Sequence, residues 1–116
     1  MNFLIFEPDP IVRMDLKEIL LNAFSGCFVT ESSTTPKVDI AVDNLEPNTT
    51  LICHGGLLDG HAELRNLAQS ASATGHQIVV SGEARDLGFP AWFIGHPFTT
   101  EMVVQTITGA TQGQPI

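Results

Sequence analysis

Hydrophobic residues come along this chain in short unbroken runs that alternate with longer amphipathic stretches. Phe3-Leu4-Ile5-Phe6, Leu51-Ile52-Cys53 and Ile78-Val79-Val80 are apolar at every position, the pattern of strands covered on both faces, as in a parallel sheet. The runs predict strands over 2–6, 27–30, 49–53, 77–81 and 91–94. After the first of them, Ile11, Val12, Met14, Ile19, Leu20 and Phe24 fall mostly at helical spacing, with Arg13, Lys17 and Glu18 on the other side. Asp9 stands before Pro10 as an N-cap before a proline that the first helical turn tolerates, and Ser25-Gly26 ends the helix. A second helix is predicted over 59–72, with Ala62, Leu64, Leu67 and Ala68 as its apolar face and Gly75 behind it. A third starts from a Thr99 or Thr100 cap and runs through Thr108, with Met102, Val103, Ile107 and Ala110 apolar. The tight turn expected at Gly55-Gly56 separates strand from helix.

Two stretches depart from this alternation. Val38, Ile40 and Val42 alternate with Asp39, Ala41 and Asp43, which leaves 37–46 open between a helix and an edge strand. Between Ser81 and His96 there is room for one or two helical turns at most, over 83–89, before Pro90 closes the segment. The whole predicts an α/β fold of three layers, an open parallel five-stranded sheet with helices on both faces. One domain is expected over 1–112 and a flexible tail over 113–116.

Charge narrows the partners. Thirteen acids against five bases give a formal charge of −8, which repels phosphate backbones and anionic membrane surfaces. The expected partner is therefore a protein, or a second copy of the chain, with no nucleic acid and no membrane. No apolar run approaches the roughly 20 residues of a membrane span, and a cytoplasmic location is expected. Cys27 and Cys53 sit in apolar, strand-like sequence and read as buried, reduced thiols. Strand alternation turns Cys53 and His54 to opposite faces, so they form no nucleophile and base pair.

Four patches carry a resemblance to the receiver domain of response regulators, and together they span nearly the whole chain. Phe3 to Arg13 resembles the family's first strand, its acidic pocket and the start of its first helix, with Glu7 and Asp9 flanking Pro8 where the family has two adjacent acids. Leu51-Ile52-Cys53-His54-Gly55-Gly56 resembles the loop of the phosphorylatable aspartate, with His54 at that position. Val79-Val80-Ser81-Gly82 resembles the strand end that bears the switch hydroxyl, here Ser81. Phe93-Ile94-Gly95-His96-Pro97-Phe98 resembles the family's Lys-Pro-Phe and its cis bond, with Phe93 as the switch aromatic and His96 in place of the lysine. The resemblance implies the flavodoxin-like, CheY-like receiver fold, with a shortened fourth helix.

It also implies a vestigial pocket of Glu7, Asp9, His54, Ser81, Phe93 and His96 at the carboxyl edge of the sheet, where open α/β sheets bind ligands. A histidine cannot form the acyl phosphate, and imidazoles in place of the acceptor and the lysine remove the oxygen cage that Mg²⁺ needs. Several readings of the histidines remain. In the plainest, His54 and His96 pair with Glu7 and Asp9 as ordinary structural groups. Asp9, His54 and His96 also suit a late transition metal such as Zn²⁺, or a pH-sensing cluster, although no metal or other cofactor is expected. His61 and His76 read as solvent-facing. Asp59 is the nearest acid for a conventional phosphorelay receiver. The leading expectation is a pseudo-receiver of bacterial two-component signalling, not an enzyme, that acts by protein binding independently of phosphorylation. Its candidate surfaces are the first helix and the segment from Glu83 to Trp92, with Trp92 as a contact anchor or a core residue.

Overall fold

The computed structural model describes residues 1–32 and 45–112. In chain order the elements are β1 (Asn2–Phe6), α1 (Pro10–Ala23), β2 (Phe28–Ser32), β3 (Thr49–His54), α2 (Gly55–Gly60), α3 (Ala62–Ala73), β4 (Gln77–Ser81), β5 (Trp92–Ile94) and α4 (Thr100–Gln112). All strand pairings are parallel, in the order β2-β1-β3-β4-β5. The unbroken apolar runs have the cause the sequence suggested. Within β1, Phe3 and Ile5 point to one face while Leu4 and Phe6 point to the other, and all four are buried. One face packs on α1 and α4 through Leu16, Ile19, Leu20, Val103 and Ile107. The other packs on α2 and α3 through Leu58, Leu64, Leu67, Ala68 and Ala71.

Several boundaries move from their sequence expectations. The segment at 55–60 is a helix rather than a tight turn, and the following helix starts at Ala62 rather than Asp59. Three glycines in six residues argue against a helix by propensity. Tertiary contacts override that: Leu58 is fully buried against the sheet, and the His54 side chain caps the first turn. Gly55 is needed there, because a Cβ would lie 2.7 Å from the Ser81 carbonyl oxygen. Further along, α4 extends to Gln112, beyond the Thr108 expected, and Thr99 is its cap, accepting from the Met102 amide at 3.1 Å.

Residues 82–91 contain no helix, where the sequence left room for one or two turns at most. The expected cap of α1 is as read, with Asp9 Oδ1 accepting from the amides of Ile11 and Val12. Its apolar face is not. Leu16, Ile19 and Leu20 are buried, whereas Ile11 and Met14 point to solvent. The open question of helix or strand at 37–46 falls largely outside the described residues, as does the tail at 113–116.

Candidate functional site

The strand register brings the predicted residues to one edge. Phe6 pairs with Cys53 and His54 with Ser81, so Glu7, His54 and Ser81 end three adjacent strands at one level. This lies beside the point where the chain order reverses, between β1 and β3. His96 follows two residues after β5, and the His96-Pro97 bond is cis.

Proximity has not made a pocket of paired charges. His54 is half-buried, and its Nδ1 accepts a hydrogen bond from the Leu57 amide at 3.1 Å. With Nδ1 accepting, the proton of the neutral ring sits on Nε2. Among the described residues neither His54 nor His96 is bonded to Glu7 or Asp9, which corrects the expected pairing. Glu7 is 3% exposed, and its Oε2 accepts from the Asp9 amide at 3.2 Å. Its backbone carbonyl accepts from Arg13 Nη1 at 2.8 Å, which ties α1 to the end of β1. Asp9 is spent on the cap of α1, and His96 is exposed with its ring 6.0 Å from that of Phe98. Each candidate therefore serves its own neighbourhood. Among the described residues no three His, Cys, Asp or Glu side chains group as a metal ion would require.

Sequence reasoning missed the group that does reach across this edge. Arg85, from the helix-free segment, donates from Nη2 to the Gly55 carbonyl at 3.2 Å and to Asp59 Oδ1 at 2.8 Å, and from Nη1 to the Glu83 carbonyl at 3.3 Å. It stands over Gly55, where a Cβ would meet its guanidinium nitrogens at 3.4 and 3.5 Å. Its bridge to Asp59 is the one ion pair among the described residues. Arg65 of α3 fastens the same segment, donating to the Leu87 carbonyl at 2.7 Å. No local pattern signals either contact, since the partners lie 30 and 22 residues apart.

The remaining candidates resolve individually. Phe93 is half-buried and packs on the α2 and α3 side of the sheet. Trp92 packs with the opposite core, beside Gly109 of α4, and donates its indole N–H to Gln77 Oε1 at 3.3 Å. Of the two readings of Trp92, this is the core one. His76 is not solvent-facing as expected: it is half-buried, with Nδ1 3.1 Å from the Thr49 carbonyl. Cys27 and Cys53 are free and buried. Burial pushes the Cys53 thiol up to about 12, which keeps it neutral and unreactive at ordinary pH.

The strand order and the helices on both faces match the receiver fold. A crystal structure of a response regulator receiver protein from Pseudoalteromonas atlantica is similar to this chain at a TM-score of 0.67 and 12% identity, over 96% of this chain and 97% of that one. No family model matches the sequence, and no curated protein matches it. Among the described residues no helix is long and apolar enough to cross a membrane.

Proposed function

We propose that this chain is a pseudo-receiver, a receiver-fold protein of bacterial two-component signalling that acts through protein–protein contact without phosphorylation. The observation that carries this reading is the fate of His54. It stands at the strand end where the resemblance places the acceptor, and its Nδ1 is committed to capping α2. An imidazole there offers no carboxylate for an acyl phosphate. Glu7 Oε2 and Asp9 Oδ1 accept from backbone amides on their own loop, and among the described residues no group of three His, Cys, Asp or Glu forms as a metal ion would require. Without phosphoryl chemistry, what the fold offers is surface, and the charge of −8 favours a protein partner over nucleic acid.

Asp59 is the alternative acceptor, but its Oδ1 faces the Arg85 guanidinium at 2.8 Å, on α2 rather than at a strand end. Incubation with acetyl phosphate and Mg²⁺ followed by intact-mass measurement is expected to leave the mass unchanged. Stoichiometric addition of a phosphoryl group, mapped to Asp59 or any other acid, would overturn the proposal.

A further inference from the structure

The amino edge of the sheet, opposite the edge that holds His54, carries a cavity of about 750 Å³ at the starts of β1, β3 and β4. That volume lies within the roughly 300–1,000 Å³ of small-molecule sites. Its walls are held from several elements. The Asn2 amide donates to the Asn48 carbonyl at 3.1 Å and Asn2 Nδ2 to the Pro47 carbonyl at 3.3 Å, which fixes the entry to β3 beside β1. His76 follows the turn that Gly75 makes at φ 95°, and its Nδ1 lies 3.1 Å from the Thr49 carbonyl. Gln77 Oε1 accepts from the Trp92 indole at 3.3 Å. The polar groups of the cavity are thus placed before any ligand arrives.

The chemistry of these walls differs from that of the chain as a whole. The sequence has thirteen acids, yet no Asp, Glu, Lys or Arg lines the cavity. Met1, Leu45 and Pro47 supply apolar wall, and Thr50, His76 and Gln77 supply polar groups. A carbonyl oxygen can only accept, so the bond to Thr49 puts the proton of the neutral His76 ring on Nδ1 and leaves Nε2 as an acceptor. Gln77, its oxygen engaged by Trp92, keeps its Nε2 as a donor. Thr50 is 3% exposed, and its hydroxyl bonds to none of the described residues. No polar side-chain atom among them is sealed off without a partner, so that hydroxyl opens onto the cavity it lines. A charged ligand would find no counter-charge on these side chains, and a purely apolar one would leave three polar groups without partners. We infer that the cavity binds a small uncharged heteroaromatic molecule, its ring faces on Met1, Leu45 and Pro47 and its polar edge on Thr50, His76 and Gln77. This site lies at the other end of the sheet from the candidate pocket, and the inference goes beyond the protein-binding reading without resting on it.

Adenosine, inosine, cytidine and uridine are the probes, each carrying an uncharged heterocycle, followed by amide NMR shifts of the full chain at neutral pH. Benzoate is the charged control, and cyclohexanol the control without a heteroaromatic edge. Saturable shifts over 47–50 and 74–77 with at least one nucleoside below about 5 mM, and none there with either control, are the expected result. Thr50→Val removes the hydroxyl and keeps the shape. His76→Asn removes Nε2 while its side-chain amide can still donate to the Thr49 carbonyl. Each is expected to weaken binding about fivefold, with amide shifts of the free protein unchanged away from the substituted residue. Absence of saturable shifts at these residues with all four nucleosides, equal shifts with benzoate or cyclohexanol, or unchanged affinity in either folded variant would overturn the site. None of these outcomes bears on whether acetyl phosphate modifies the chain, so failure here leaves the phosphorylation-independent reading standing.

Discussion

His54 joins the candidate site to the fold at the level of a single ring. Its Nδ1 occupies one of the amides that a helix start leaves without an intrahelical partner. The short α2 has little else to hold its first turn, since its first two residues are glycine. His54→Ala is therefore expected to cost about 1 kcal/mol, and His54→Asn, whose carbonyl can accept the same bond, to recover most of it. Urea unfolding of the three proteins measures this. Equal loss in Ala and Asn variants would show that the ring contributes by packing rather than by the cap. The alternation of side chains around it was legible in the sequence, and it separated Cys53 from His54 correctly. The cap was not, because a helix of Gly-Gly-Leu-Leu-Asp-Gly has no periodicity to announce it.

Among the elements, the segment between β4 and β5 shows how a connection without a helix is held in place. With no intrahelical bonds to satisfy its backbone, it leans on two guanidinium groups: Arg65 on the Leu87 carbonyl, and Arg85 on Gly55, Glu83 and Asp59. The side chains of Arg85 and Asp59 are 33% and 54% exposed, so solvent screens the pair and its share of global stability is less than about 1 kcal/mol. Locally it matters more. Arg85→Ala is expected to raise amide hydrogen exchange across 83–89 at least several-fold while leaving β3 and β4 protected, and Asp59→Asn to do so to a smaller extent. Unchanged exchange in Arg85→Ala would leave the segment's position to Leu87 and Phe89, which pack on the core beneath it. The room between Ser81 and His96 already excluded a full helix by count alone. Which cation would hold the shortened segment depended on a contact 30 residues away.

Across the whole molecule, the central strands contribute side chains to two cores, one on each face of the sheet. Cys53 lies at the middle of this arrangement, fully buried on β3. Its thiol keeps its proton up to about 12 in the folded protein against an ordinary value of 9.0. Below pH 9 both folded and unfolded chains hold the proton, and the contribution to stability is constant and complete. As pH rises from 9 toward 12 the unfolded chain alone releases it, so the unfolded state binds fewer protons and stability falls, by about 1 kcal/mol per pH unit. Denaturant midpoints of the natural protein are expected to decline more steeply over that window than those of Cys53→Ala. Parallel slopes would mean that the thiol is reached by water in the folded state.

Taken alone, the sequence determined the alternation of strands and helices and pointed to a parallel sheet, because burial on both faces leaves unbroken apolar runs. It also determined that an imidazole stands at the end of β3, a matter of residue identity. Only the tertiary structure decided which side of α1 is buried. Ile11 and Met14 are as apolar as the residues facing the sheet, and composition cannot say where a sheet lies relative to a helix. The same holds at the carboxyl edge. Glu7, Asp9, His54 and His96 each close or follow a strand at that edge, but hydrogen bonds are made over about 3 Å. At that distance Glu7, Asp9 and His54 each accept from a nearby backbone amide, and His96 stays exposed.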